Sequence, residues 1–327
     1  MPELSLKRFE ELLDFEEKRT ETIRTYLKAA RLFKAWLKKR PMDANSAISF
    51  SLYLKKEYRT RQGTPLRPSS LRTYQAGLRS LYRLSKLDFP EEIKTPAVVL
   101  PEPVYLTRED YEKLYKKAEN DLERAMLTTI YAVGARISEA VSRTVGDLRN
   151  WDMQGKEALY IGKDKKGVGD KTNNPGIIPL TLSSVDDLRV HMSENERKLG
   201  RKLRASDPLL IERVVPVTNN KGRTVMTPYP VPTRTANDIW HRMLKRAGID
   251  APEGAFFGWH AIRHTRATHL RMEKTPLEDI GAMLRHRSPQ TTLRYAHTDT
   301  EALRESVRGK DPLEKQYENR RKGGEVL

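Results

Sequence analysis

The amino-acid sequence predicts a mainly α chain with a small β-sheet, divided into two domains. Three observations lead there. Apolar residues recur at helical spacing through most of the 327 residues, two short apolar runs flank a Lys/Gly/Asn-rich stretch, and a proline cluster near residue 100 interrupts any continuous helix. A chain of this length has room for two cores.

In the first hundred residues, Ile23, Tyr26, Leu27, Ala30, Phe33, Trp36 and Leu37 follow Thr20, the expected N-cap, and predict one amphipathic helix. Ser69 or Ser70 is expected to open a second, with Leu71, Tyr74, Leu78, Leu81 and Tyr82 on its apolar face. At this spacing the aromatics read as core and not as platforms for bases. Residues 59–67 between them form a basic loop broken by Gly63 and Pro65. Pro90, Pro96, Pro101 and Pro103 then mark an extended connection.

Beyond it, Thr107 and Asp110 resemble a capping box that starts a helix. A helix over residues 121–133 breaks at Gly134 and resumes from Ser138 to Arg143. Residues 158–161 and 176–180 read as two strands joined by a long hairpin loop over 162–175. Residues 182–202 and 233–247 read as helices, and 204–232 stay ambiguous between strand and loop. Ser288-Pro289 opens a short helix leading to Tyr295. Residues 298–309 are read as a further helix, and the polar tail after it has no core of its own.

The formal net charge is +17, from 61 Lys+Arg against 44 Asp+Glu. Residues 1–100 hold 21 of the cations and 12 of the anions, so both halves are basic and both suit a polyanion, with nucleic acid ahead of an anionic membrane. There is no cysteine, which excludes disulfides, thiolate nucleophiles and cysteine-ligated zinc. The first 18 residues lack the apolar stretch of a signal peptide, and no apolar run approaches a membrane span, so a cytoplasmic, nucleoid-associated protein is expected.

The chemistry concentrates in a few residues. His260, Arg263, His286 and Tyr295 supply two imidazoles, a cation and a phenol, and His260 and Arg263 stand three apart on a helix. Arg136 and Lys163 are the upstream candidates. Attack on a phosphodiester loads negative charge onto the non-bridging oxygens, and preorganised arginines stabilise it. A lysine just after a strand, Lys163, suits protonation of the departing sugar oxygen, although Lys165, Lys166 and Lys171 crowd the same loop. Tyr295 is the candidate nucleophile, since a phosphotyrosine link conserves the energy of the broken bond. His260 and His264 at i,i+4, with His286, are the residues of a competing zinc-hydrolase reading, but Ala261 stands where a zinc protease carries glutamate.

Three segments together resemble the tyrosine recombinase/integrase family, of the Xer or phage-integrase kind. They are Gly134-Ala135-Arg136-Ile137-Ser138-Glu139-Ala140, the H-x-x-R box from His260 to Leu270, and the closing box from Met283 to Tyr295, with nine residues from His286 to Tyr295. The resemblance implies a C-shaped clamp on duplex DNA, with a helical core-binding domain at residues 1–88, a proline-rich linker at 89–104, a mixed α/β catalytic domain at 105–300 and a charged helix or tail at 301–327. It implies Arg136, Lys163, His260, Arg263 and His286 around the phosphate, Tyr295 as nucleophile, Glu139 as a supporting residue and His264 as a neighbour of the site. It further implies a 3′-phosphotyrosyl intermediate, no metal or nucleotide cofactor, specific recombination sites in double-stranded DNA, and a tetramer on that DNA. Accessory DNA-bending or element-encoded factors belong to the same expectation.

The chain departs from the family pattern at Arg285, where glycine usually precedes the histidine; an added cation there is expected to reach DNA. A type IB topoisomerase-like nicking and religating enzyme, and a catalytically silent DNA-binding protein of the same fold, are the competing functions.

Overall fold

A computed structural model describes residues 5–38, 40–97, 103–162, 175–220, 222–252, 257–293 and 295. The chain separates into two compact units, Met1–Pro101 and Glu102–Leu327. Lys163 and the expected β-hairpin loop from 163 to 174 lie outside the described residues, as does the expected helix at 298–309. No helix of the described residues is long and apolar enough to cross a membrane.

Among the described residues the first unit has four helices, α1 (Leu6–Phe15), α2 (Thr20–Leu37), α3 (Ala44–Lys56) and α4 (Pro68–Leu84). Two starts differ from the sequence reading. Arg19, not Thr20, is the N-cap of α2. Helix α4 begins at Pro68, ahead of the two serines, because proline's fixed φ and missing N–H cost nothing in a first turn. Asp43 caps α3: its Oδ1 accepts from the Ser46 amide at 2.8 Å, and Ser46 Oγ accepts from the Asp43 amide at 2.9 Å. Phe33, Phe50 and Tyr82 are buried at the centre, with Phe33 and Phe50 ring centroids 5.0 Å apart, so these aromatics are core. Tyr82 keeps its hydroxyl satisfied by donating to the Asp43 carbonyl at 2.8 Å.

The second unit opens with α5 (Arg108–Lys116), α6 (Asp121–Val133) and α7 (Ile137–Val141). Thr107 Oγ1 accepts from the Asp110 amide at 3.1 Å and fixes the start of α5. A three-stranded antiparallel sheet follows, in the order β1 (Leu148–Arg149), β2 (Ala158–Ile161), β3 (Gly176–Pro179), with Leu148 opposite Leu159 and Leu159 opposite Ile178. Next come α8 (Leu182–Leu199), the antiparallel ribbon β4 (Ile211–Thr218) and β5 (Thr224–Pro230), then α9 (Thr233–Ala247), α10 (His260–Met272), α11 (Leu277–Leu284) and α12 (Pro289–Leu293). The ambiguous stretch at 204–232 is therefore mostly this ribbon. Its root is held by a buried imidazole: the Ile211 amide donates to His191 Nε2 at 3.0 Å, which leaves Nδ1–H to donate to Asp121 Oδ2 at 2.6 Å. That hydrogen bond holds the Asp121 carboxyl below the usual aspartate range.

The core of the second unit gathers α6, α9 and the start of α10 around two fully buried tryptophans. Trp240 Nε1 donates to the Phe257 carbonyl at 2.8 Å and Trp259 Nε1 to the Ala236 carbonyl at 2.6 Å, locking α9 to the entry of α10. On the far half of α10, Thr265 Oγ1 accepts from the Leu106 amide at 2.9 Å. His269 Nε2 donates to the Leu106 carbonyl at 3.0 Å, so its Nδ1 accepts from the Tyr131 hydroxyl, also at 3.0 Å. The orientation of α10 is thus set at both ends by buried hydrogen bonds.

Burial pushes the His269 imidazole below the ordinary histidine value, with the Leu106 hydrogen bond opposing the shift. The fold therefore favours the neutral ring. Its contribution to stability is complete above the unfolded value of about 6.5 and is lost as pH falls through the lower folded value. Thermal melts of the intact chain between about pH 7 and pH 5 are expected to fall less steeply in His269→Gln than in the wild type; equal slopes would exclude this role.

Candidate active site

Three chain reversals build the site. At the first, α6 ends on Gly134 in the left-handed conformation, φ 56°. A Cβ there would lie 2.6 Å from Leu284 Cδ2, so both the turn and the close approach of α11 require glycine. Two residues on, Arg136 stands at the N-cap of α7. Its amide donates to Glu139 Oε2 at 2.9 Å and its Nη1 to Glu139 Oε1 at 2.7 Å. The carboxylate is buried, whereas the Arg136 side chain keeps 32% of its surface exposed.

The second reversal is the start of α10. His260, its first residue, is exposed and sits edge-to-face against His264, with ring centroids 4.7 Å apart. Arg263 points inward and is fully buried: Nη1 donates to the Gly134 carbonyl and Nη2 to the Leu284 carbonyl, both at 2.5 Å. These carbonyls close α6 and α11, and the negative ends of two helices compensate the buried cation. Burial depresses the Arg263 pKa to about 10, Arg136 and Arg285 push in the same direction, and Glu139 and Tyr295 oppose them. Arg263 still carries its charge at neutral pH, where the charges of Arg136, Glu139 and Arg285, from two other parts of the chain, act on it.

The third reversal follows α11. Arg285 is its C-cap, at φ 56° and ψ 42°, a left-handed conformation that costs a non-glycine residue roughly 1–2 kcal/mol. The expectation that this cation reaches DNA is wrong. Arg285 is 1% exposed; its Nη2 donates to Glu139 Oε2 at 2.5 Å and its Nη1 to the Met283 carbonyl at 3.1 Å. The left-handed turn aims the side chain into the protein, where a buried carboxylate holds it. His286 follows, with its amide on the Gly281 carbonyl at 3.0 Å and its Nδ1 on Thr292 Oγ1 at 2.8 Å, which joins α11 to α12.

Tyr295 comes just after α12. Its ring is buried with Ala267, Ile280 and Leu284, and its Oη is hydrogen-bonded to His264 Nδ1 at 2.5 Å. The structure therefore gathers Arg136, Arg263, Glu139 and Tyr295, adds His264 as the phenol's partner, and reaches His260 through His264. His286 is tied to the same helix pair through Thr292. Among the described residues no group of three His, Asp or Glu side chains is arranged to hold a metal ion. The sequence reading missed two features, the phenol–imidazole contact and the inward turn of Arg285. Each is a pairing across more than thirty residues, for which local spacing offers no signal.

Loss of a buried hydrogen-bond partner typically costs about 1–3 kcal/mol. His264→Leu is expected to destabilise the wild type by that order in chemical denaturation, and much less in a Tyr295→Phe background. Equal losses in the two backgrounds would mean that the contact contributes nothing.

Comparison with known proteins places the chain in a family. Residues 104–302 match the phage integrase family. The chain is similar to the tyrosine recombinase XerA of Thermococcus kodakarensis, 26% identical over 317 residues that cover 96% of this chain and 98% of that one. It is similar to the tyrosine recombinase XerC of Bacillus subtilis, 25% identical over 322 residues, covering 94% and 96%. Among solved structures it is similar to the XerH site-specific recombinase bound to difH substrate, with a TM-score of 0.62 at 19% identity, covering 94% of this chain and 84% of that one. A lambda integrase dimer bound to a COC′ core site gives a TM-score of 0.61 at 16% identity, covering 90% and 94%. The chain belongs to the phage integrase family. It is a tyrosine site-specific recombinase, an enzyme of DNA strand breakage and rejoining.

Proposed function

We propose that Tyr295 is the nucleophile and that Arg136 and Arg263 stabilise the phosphate it attacks. The observation that carries this reading is that the Tyr295 hydroxyl is hydrogen-bonded to His264, next in sequence to Arg263, whose guanidinium holds the Gly134 carbonyl two residues before Arg136. The Tyr295 Oη–phosphorus bond forms as the bond from phosphorus to the 5′ oxygen breaks. This leaves a 3′-phosphotyrosyl link and a 5′ hydroxyl, and the reverse attack rejoins the strand. The phenolic proton passes to the imidazole side of the pocket, where His264 Nδ1 already bonds Oη. Lys163 protonates the leaving oxygen, and His260 and His286 orient the phosphate. Because Tyr295 is buried, DNA binding must expose Oη to the phosphate before the attack.

The proposed partner is double-stranded DNA at specific sites, gripped through phosphates by the basic surface of both units, as the charge of +17 favours. Four protomers on two sites, in the cytoplasm, complete the proposal. XerH is described bound to its difH substrate, and XerA and XerC are named as recombinases, which favours recombination over simple nicking and religation.

Covalent adducts captured after incubation with sheared genomic DNA of the source organism, then sequenced at the joints, test chemistry and polarity together. Tyr295→Phe is expected to abolish the adduct and leave DNA binding largely intact; an adduct surviving in that variant would reject the nucleophile. Replacing Arg136 with alanine is expected to slow cleavage by about 10²–10³-fold, the scale of losing a donor to a developing oxyanion. Binding is expected to weaken steeply with salt, and a flat response would contradict phosphate-dominated contacts.

A further inference from the structure

Arg285 occupies a left-handed turn that suits glycine, and it buries a full charge. Neither feature favours stability by itself, because a buried ion pair often gives back no more than its desolvation costs. Nor does the residue serve as a surface contact, since its guanidinium is enclosed. What it holds is specific. Its stem packs across the start of β3, where a Cβ on Gly176 would lie 3.3 Å from Arg285 Cδ. Its Nη1 reaches the Met283 carbonyl, and its Nη2 takes Glu139 Oε2, the oxygen that also accepts the Arg136 amide. The other oxygen of the same carboxylate takes Arg136 Nη1.

One buried carboxylate is therefore shared between an enclosed cation and a partly exposed one. Glu139 paired with Arg136 alone would cancel the charge that Arg136 offers a phosphate. With Arg285 present, the group of Arg136, Arg263, Arg285 and Glu139 carries three positive charges against one negative. We infer that Arg285 is a positioning residue for Arg136: it fixes the direction of the Glu139 carboxylate and offsets its charge, so that Glu139 orients Arg136 without neutralising it. The inference rests on the proposed role of Arg136 at the phosphate.

The test uses the full-length chain and a duplex carrying the joint sequence recovered from genomic adducts, and follows single-turnover adduct formation at saturating DNA. Arg285→Gly, which suits the turn, is expected to lower the rate ten- to hundredfold with DNA affinity within twofold of wild type. Arg285→Lys, which keeps the charge but loses the fork, is expected to recover part of the rate. Arg285→Met, which keeps the bulk without the charge, replaces the glycine variant if that one fails to fold, and is expected to show the same loss. In a Glu139→Gln background the loss on changing Arg285 is expected to shrink toward none. Variants that cleave within twofold of wild type, or whose defect lies wholly in DNA affinity, would overturn the inference while a Tyr295-dependent adduct in the wild type left the catalytic reading standing. Absence of any Tyr295-dependent adduct in the wild type would overturn both.

Discussion

The guanidinium of Arg263 is the joint of the catalytic unit. Its two terminal nitrogens close on the last carbonyls of two helices that are far apart in sequence, Gly134 after α6 and Leu284 at the end of α11. Both carbonyls lack partners within their own helices, so a single planar fork satisfies two exposed ends at once. The geometry favours glycine at 134, because the turn has a positive φ and a Cβ there would meet the Leu284 side chain at 2.6 Å. A residue expected to stabilise charge on a substrate thus also assembles the pocket. Changes at Arg263 will accordingly confound folding with chemistry, whereas Arg136, with a third of its side chain in solvent, separates them more cleanly.

Around this joint several buried polar groups are paired across distant parts of the chain. His269 spans Tyr131 and Leu106, Trp259 reaches the Ala236 carbonyl, and His191 bridges Asp121 to the root of the β4–β5 ribbon. Each such group fixes an orientation that apolar packing alone leaves loose, because its hydrogen bonds are satisfied in only one arrangement. To this frame the segment from His286 to Tyr295 is attached through Thr292, His264 and the small cluster of Ala267, Ile280 and Leu284.

The helices with a sustained apolar stripe, α2, α4 and α9, were legible from spacing alone, and so were the strands β2 and β3. Helices α1 and α3 escaped that reading. The interior of α3 is rich in serine and alanine, and its clearest signal was the cap formed by Asp43 and Ser46, not its periodicity. Strand β1 is two residues long, too short for any alternation to register. In β4 and β5, Pro216, Pro228 and Pro230 obscured the strands, yet a two-stranded ribbon has only edges, where proline is tolerated. In the site, residue types and order marked Arg136, His260, Arg263, His286 and Tyr295 as a set. Their contacts were not legible, because the inward path of Arg285 depends on a backbone conformation and the His264 contact on how the last short helix folds back.

The β4–β5 ribbon leaves and re-enters the catalytic unit at one spot, since Ile211 and Pro230 stand opposite each other in register. Its length is consequently decoupled from the spacing between α8 and α9. Residues added to or removed from its far end, around Asn219 and Gly222, alter neither the tryptophan-lined core nor the Arg263 joint. That end is a natural port for a fluorophore or a fused peptide, set apart from the residues that build the core and the Arg263 joint.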